Sequence, residues 1–179
     1  KSLEATKSIF LVTNGQEPDM IQRLQDEDAL PTQLYLSTNA ADYNSFLKIN
    51  RPKYDDSWQR WNRTLEMLKH LDTRTVLRIT LIRDYNDQKE MIPAFASMLK
   101  QASPHFIEIK SYMHIGRSTN RLEHSNMLEM EEVRRFTEEV AKQSEIFSIM
   151  DESLVSRIVI LQNNQRSINR WISAYSSTN

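Results

Sequence analysis

The sequence predicts an α/β protein with a parallel sheet, because short apolar segments alternate with segments of helical periodicity. Four segments rich in β-branched or aromatic residues have the length of buried strands: 8–13, 32–38, 75–82 and 105–110. Each ends in polar residues and precedes a polar or helical segment, an order that brings reactive groups to one edge of a parallel sheet. We therefore expect the functional residues at the carboxyl ends of these strands.

Helical segments separate the predicted strands. They lie at 18–25, 40–49, 56–70 and 87–101. In the third, Trp58, Trp61 and Leu65 recur at helical spacing, which predicts an apolar stripe whose tryptophans pack in the core rather than form a ligand cage. The alternation favours right-handed crossovers between neighbouring parallel strands.

The regular alternation of predicted strands and helices ends after Lys110. The expected elements are a long polar loop at 111–126, an amphipathic helix at 129–143, short strands at 146–150 and 157–161, and a polar tail at 162–179 with Trp171 as an anchor. Long irregular loops within a compact domain usually have a functional role. The loop at 111–126 is therefore a candidate binding segment.

Composition excludes several function classes. The chain has 179 residues, whereas a complete eight-stranded barrel typically needs about 250, so part of a larger architecture is expected. It contains no cysteine, which excludes disulfides, thiolate metal sites and a cysteine nucleophile within these residues. Two glycines leave no room for a glycine-rich phosphate loop.

Charge and hydropathy give weaker indications. The net charge of −1 does not favour nucleic acid in general, so a polyanionic partner would require a local basic patch. No run approaches the 18 or so apolar residues of a membrane span, and no segment resembles a signal peptide, which predicts a cytoplasmic protein without membrane contact. The four histidines lack metal-ligand spacing, so no metal site is predicted.

A charged residue stands at the centre of the third predicted strand. The two-residue period places Arg78 on the face opposite Leu77 and Ile79, and Glu108 and Lys110 share a face of the next strand. If both faces point into one interior, the three charged groups lie close together. One interpretation is a buried salt bridge between Arg78 and Glu108 with a solvated Lys110. The other is a site in which Lys110, partly desolvated, forms a Schiff base with a carbonyl substrate.

Further polar residues follow the strands. Thr13, Asn14, Ser37 and Asn39 stand at strand ends and suit the hydroxyl groups or the amino acid portion of a small cofactor, although each alone is typical of a turn or a cap. In the loop, His114, Arg117 and Arg121 suit phosphate groups, although cations in polar loops are often simply solvated.

Four segments together resemble one known family, the archaeal-type tRNA 4-demethylwyosine synthases, which are radical S-adenosylmethionine enzymes of wybutosine biosynthesis. They are Phe10-Leu-Val-Thr-Asn-Gly15, Thr32-Gln-Leu-Tyr-Leu-Ser37, Arg74-Thr-Val-Leu-Arg-Ile-Thr-Leu-Ile82 and Phe106-Ile-Glu-Ile-Lys-Ser-Tyr-Met-His-Ile-Gly116. The resemblance continues through Asn126-Met127 and Ser156–Gln162 and so covers nearly the whole chain, as the later half of the family's sequence.

The resemblance implies a partial (β/α)6 TIM-like barrel. Residues 1–125 are then similar to its strands three to six with the following loop, and residues 126–179 to the C-terminal extension. The N-terminal part, with the CxxxCxxC motif for the [4Fe–4S] cluster, would precede Lys1. This segment alone is expected to be inactive.

The resemblance also implies a reaction and its partners. The family condenses pyruvate with N1-methylguanosine at position 37 of tRNA-Phe, with S-adenosylmethionine as cofactor and an electron donor as partner. Thr13, Asn14, Ser37, Asn39 and Arg78 are then expected to contact the cofactor, with Arg78 balancing a carboxylate.

Lys110 is then the expected imine lysine for pyruvate, unless a lysine of the missing half takes that role. The expected substrate contacts are Glu108, Tyr112, His114, Arg117 and Arg121. Two alternatives remain from the residues themselves. The chain can be a non-catalytic binding subunit or half-barrel of a split enzyme, or a lysine-dependent aldolase-type enzyme.

Overall fold

Short β-branched and aromatic segments form one six-stranded sheet in the computed structural model, which describes residues 6–166 and 168–172. The strands are β1 (Phe10–Thr13), β2 (Gln33–Thr38), β3 (Arg74–Leu81), β4 (Phe106–Ser111), β5 (Phe147–Ser153) and β6 (Ile158–Asn163). All six agree with the predicted strands to within a few residues at each end.

The helices are α1 (Pro18–Asp26), α2 (Tyr43–Asn50), α3 (Ser57–Met67), α4 (Ile92–Ala102) and α5 (Met130–Ser144). Two begin later than predicted. The side chain of Asp42 caps α2 by accepting a hydrogen bond from Ser45 N at 2.9 Å, so the helix starts at Tyr43 rather than near residue 40. A 3₁₀ turn at Lys89–Met91 precedes α4, which has Pro93 in its first turn.

The strand order in the sheet is β1-β2-β3-β4-β6-β5. Neighbours from β1 to β4 are parallel, which confirms the predicted βα repeats. β6 pairs antiparallel with β4, and β5 pairs antiparallel with β6. The two C-terminal strands therefore extend the same sheet, a placement that the sequence analysis did not predict.

The two faces of the sheet differ in chemistry. Helices cover one face, where the strand residues are fully buried and apolar: Leu34, Leu36, Leu77, Ile79, Ile107 and Ile109. The opposite face has charged and polar side chains that include Arg78, Glu108 and Lys110, as the register pairs Arg78 with Glu108 and Thr80 with Lys110. This second face is called the open face.

The tail behaves differently from the prediction. Trp171 is 69% exposed, so it is not an anchor. The segment is held instead by Arg74, whose guanidinium donates to the carbonyls of Asn169 and Arg170. Residue 167 and residues 173–179 of the predicted tail lie outside the described residues. Within the part of the chain that the structure describes, no helix is long and apolar enough to cross a membrane.

A half-buried histidine joins the amino ends of β3 and β4. His105 Nδ1 accepts a hydrogen bond from Thr75 N at 3.2 Å and lies 3.0 Å from Thr75 Oγ1. Burial, reinforced by the positive charges of Arg166 and Arg74, lowers the pKa of His105 to about 4. The ring is therefore neutral near pH 7, as its acceptor role at Nδ1 requires.

The depressed pKa of His105 predicts acid-sensitive stability. The unfolded chain takes up a proton near pH 6.5 and the folded chain only near pH 4, so stability is lost as the pH falls between these values. A single such group contributes a slope of at most about 1.4 kcal/mol per pH unit. We expect His105→Asn, whose side-chain oxygen preserves an acceptor and does not titrate, to flatten the pH dependence in chemical denaturation. His70→Asn, at an exposed position, is the matched control. Identical pH profiles for His105→Asn and the unsubstituted protein would contradict the role of His105.

Candidate functional site

A cleft of about 620 Å³ opens at the carboxyl ends of β1 and β2. Three of the polar residues predicted at strand ends line it together: Asn14, Ser37 and Asn39. The remaining wall comes mainly from α2 and the connection to α3, including Phe46, Arg51 and Tyr54. Apolar surface combined with a few convergent polar groups is typical of a small-molecule site.

The turn after β1 requires glycine. Gly15 has a φ of +76°, and a Cβ there would lie 2.8 Å from Leu36 Cδ1 and 3.0 Å from Trp61 Cδ1. The Thr13 hydroxyl accepts a hydrogen bond from Gly15 N at 3.0 Å. Thr13 thus shapes the turn that presents Asn14 and does not itself line the cleft.

Gln16 is a cleft residue that the sequence analysis missed. Its Nε2 donates to Ser57 O at 3.1 Å, whereas its Oε1 is buried without a hydrogen-bond partner among the described residues. An unpaired buried acceptor is costly unless a ligand donates to it. Nothing in the local sequence marks this residue, because its burial depends on contact with α3.

Asn86 is a second residue missed from sequence, and it connects the ends of β2 and β3. Its side chain is fully buried, accepts from Ile82 N at 2.6 Å and donates to Thr80 O at 2.9 Å and Asn39 O at 2.8 Å. In the sequence, Asn86 is typical of the start of the following helix, and nothing there indicates its contact with the end of β2. The third bond fixes the backbone of Asn39 at the edge of the cleft.

Arg78 and Glu108 form the predicted ion pair on the open face. Nε of Arg78 lies 2.8 Å from Oε1 of Glu108 without an aligned hydrogen bond, and Nη2 donates to Oε2 at 3.2 Å. The guanidinium also stacks on Tyr35, 4.5 Å from the ring centroid. Burial, reinforced by the Glu108 charge, raises the pKa of Tyr35. The pair does not line the cofactor-sized cleft.

Lys110 lies on the same face, directly opposite Thr80 in the register and two residues beyond Glu108 along β4. It is partly buried at the carboxyl end of β4 and also pairs in register with Ile158 of β6. It is not part of the lining of the cleft at β1 and β2. The structure therefore gives an accessible lysine on the open face, separate from the cleft.

The loop residues divide into buried and exposed groups. Tyr112 is 5% exposed, and its hydroxyl lies 3.1 Å from both His114 Nδ1 and Ser118 Oγ, so it organises the loop from inside. Arg117 and Arg121 are exposed. Two 3₁₀ turns, at Gly116–Asn120 and His124–Asn126, give the loop more regular structure than predicted.

The cleft residues fit S-adenosylmethionine as a ligand. Asn14, Ser37 and Asn39 offer hydrogen bonds for hydroxyl and amino acid groups, the orphaned Gln16 Oε1 suits an amino group, and Phe46 and Tyr54 provide apolar surface. The chain has no cysteine for a [4Fe–4S] cluster, so ligands for such a cluster would have to come from outside these residues.

Comparison with known proteins identifies relatives by sequence. A family model described as Wyosine base formation matches residues 101–163. The tRNA 4-demethylwyosine synthase of Pyrococcus abyssi is 38% identical over 155 residues, covering 87% of this chain and 45% of that protein. The enzyme of the same name from Methanocaldococcus jannaschii is 39% identical over 160 residues, covering 89% of this chain and 48% of that protein. The chain thus spans about half the length of the curated relatives it matches.

Solved structures agree with this relationship. A TYW1 structure with a lysine-pyruvate adduct bound superposes with a TM-score of 0.76 at 37% identity, covering 89% of this chain and 48% of that chain. An archaeal TYW1 gives 0.69 at 32% identity, with the same coverage. The radical SAM enzyme coproporphyrinogen III oxidase of Escherichia coli gives 0.53 at 12% identity over 88% of this chain and 35% of that chain, which shows a shared fold alone.

We predict that the structure around the cleft depends on the buried side-chain amide of Asn86. Asn86→Ala leaves the groups on Ile82, Thr80 and Asn39 without their partner, at a cost of roughly 1–3 kcal/mol for each unsatisfied buried group. We expect a loss of at least about 3 kcal/mol in the free energy of unfolding, measured by chemical denaturation. Asn44→Ala, at an exposed position on α2, is the control and is expected to change stability by less than about 0.5 kcal/mol. Equal effects of the two substitutions would refute the role of Asn86.

Proposed function

The chain belongs, as a partial segment, to the tRNA 4-demethylwyosine synthase family, and we propose that it supplies the cofactor and substrate contacts of a radical S-adenosylmethionine tRNA-modifying lyase. The complete enzyme would condense pyruvate with N1-methylguanosine at position 37 of tRNA-Phe and form 4-demethylwyosine. The cluster ligands and part of the barrel would come from residues outside this chain.

The observation that supports the proposal most directly is the cleft at the ends of β1 and β2. It places Asn14, Ser37 and Asn39 beside the unpaired acceptor of Gln16, on the edge of a parallel sheet where such folds hold their ligands. If bound beside a reduced cluster held by residues outside this chain, S-adenosylmethionine would supply the radical chemistry that acts on pyruvate. The side chains of this segment would orient the cofactor by hydrogen bonds and exclude water with Phe46 and Tyr54.

The open face would hold the small substrate. Arg78 offers directional N–H donors for a carboxylate while Glu108 keeps its charge compensated. Lys110, further along the same face, is the imine candidate within this chain, and the relative whose structure contains a lysine-pyruvate adduct supports imine chemistry in the family. A lysine outside this chain is the alternative. The tRNA would approach from the loop with His114, Arg117 and Arg121.

The cofactor assignment predicts a specific kinetic change. In the complete enzyme, reconstituted with iron and sulfide under anaerobic conditions, Ser37→Ala and Asn14→Ala are expected to raise KM for S-adenosylmethionine about fivefold to tenfold each, the equivalent of one lost hydrogen bond. Turnover of tRNA-Phe is the measurement. Lys69→Ala, at an exposed residue after α3, is the control and is expected to match the unsubstituted enzyme. Tight tRNA binding without any turnover would favour the non-catalytic binding subunit.

Lys110 is tested by chemical trapping. If Lys110 forms the imine, pyruvate with borohydride adds a stable adduct to the complete enzyme, and Lys110→Ala abolishes it, because reduction fixes only the lysine that forms the Schiff base. Intact mass measurement reports the adduct, and Lys142→Ala, at an exposed residue of α5, is the control. An undiminished adduct in Lys110→Ala would assign the imine to another lysine.

A further inference from the structure

The cleft at the carboxyl ends of β1 and β2, the proposed cofactor site, is called here the cofactor cleft. Four exposed cations line it or lie close to it and are called the basic rim: Lys48, Arg51, Lys53 and Arg121. Arg51 and Lys53 line the cleft itself. Arg51 also lines a smaller neighbouring cleft together with Lys48 and Arg121. Arg51 therefore connects the two, and the rim runs from the cofactor cleft towards the loop after β4.

The charges of the basic rim are not compensated within the described residues. The described residues form ten ion pairs, and none of these pairs includes a residue of the basic rim. Asp56, close in sequence, is paired with Arg60 at 2.8 Å. Glu17 is the acidic residue in the lining of the cofactor cleft. A chain of net charge −1 thus concentrates unpaired positive charge along one edge.

Arg51 ends α2 in a left-handed backbone conformation. Arg51 follows α2 with φ of 47°, a left-handed conformation that favours glycine at the end of a helix. Its side chain forms no ion pair in the described part of the structure, so the fold does not require arginine there. Ser103 and Glu145 end α4 and α5 in the same conformation, so a residue other than glycine is tolerated here, and the charge of Arg51 is available to a ligand.

Aromatic rings accompany the cations. Lys48 Nζ lies 5.1 Å from the centroid of the Tyr85 ring, and Lys53 Nζ lies 5.7 Å from that of Tyr54. Positive groups interleaved with aromatic side chains are characteristic of surfaces that contact RNA backbone and unstacked bases. The cations are distributed over two clefts rather than converging on one point, which suits successive phosphates better than a single one.

We propose that the basic rim binds the ribose-phosphate backbone of an RNA and leads it from the loop after β4 to the edge of the cofactor cleft. The inference rests on the proposed function and adds the end of α2 to the loop cations as a second binding segment. Each contact replaces a counterion on a phosphate, so the affinity should depend on salt in proportion to the number of contacts.

The test is Arg51→Gly in the complete enzyme. Because glycine suits the left-handed backbone, the melting temperature is expected to equal or exceed that of the unsubstituted enzyme, so weakened binding cannot be attributed to misfolding. The dissociation constant for tRNA-Phe is expected to rise several-fold, and the slope of log affinity against log salt concentration to fall by about 0.7–0.9, the value for one lost phosphate contact. Lys48→Ala is expected to act in the same way. Lys142→Ala and Lys69→Ala, at exposed positions outside the rim, are the matched controls.

The possible outcomes distinguish failure of this inference from failure of the proposed function. Reduced affinity and a reduced salt slope for Arg51→Gly and Lys48→Ala, with unchanged controls, support the basic rim. If the unsubstituted enzyme binds tRNA but the two rim variants retain its affinity and salt slope, the inference is overturned while the proposed function stands. If the unsubstituted enzyme does not bind tRNA-Phe, the proposed function itself fails. Equal losses in the rim variants and the controls would indicate a general charge effect and would also overturn the inference.

Discussion

The division of the sheet into an apolar face and a polar face determines most of what this chain can do. In a strand, alternate residues point to opposite sides, so burying Leu77 and Ile79 under the helices forces Arg78 to the other side. The same rule places Glu108 opposite Arg78, because the register between β3 and β4 aligns the two residues. A shift of one residue would put the guanidinium among the helices. The same strand register therefore both stabilises the core and determines where the polar groups lie.

The cleft depends on irregular backbone at the edge of that sheet. Gly15 permits a tight turn against Leu36 and Trp61, and Thr64 Oγ1 donates to Gly15 O at 2.8 Å. Asn86 makes the corresponding connection between β2 and β3. In regular strands the backbone N–H and C=O groups form hydrogen bonds with neighbouring strands. In these loops they do not, so buried side chains provide the missing hydrogen-bond partners. Residues that touch no ligand thus position those that line the cleft.

Local pattern and long-range contact explain what the sequence could and could not predict. The strands, the Arg78–Glu108 pair and the grouping of Asn14 with Ser37 follow from periodicity and from the parallel arrangement of the strands. The antiparallel placement of β6 beside β4 depends on edge pairing across a long connection, which periodicity does not encode. Gln16 and Asn86 have ordinary loop identities in the sequence. Their importance arises from burial by α3 and by neighbouring strand ends, which only the folded structure shows.

Two kinds of positive charge emerge, and they suit different ligands. Arg78 is paired with Glu108 and lies over the Tyr35 ring, yet its Nη1 has no hydrogen-bond partner among the described residues. Arg78 therefore offers directional hydrogen bonds rather than net positive charge, which suits the recognition of a small carboxylate. Arg51 is exposed and free of ion pairs within the described residues, so it contributes long-range attraction that salt screens. Under the proposed function, positioning a small carboxylate on the open face and attracting a polyanion to the edge of the cleft would therefore be separate electrostatic tasks.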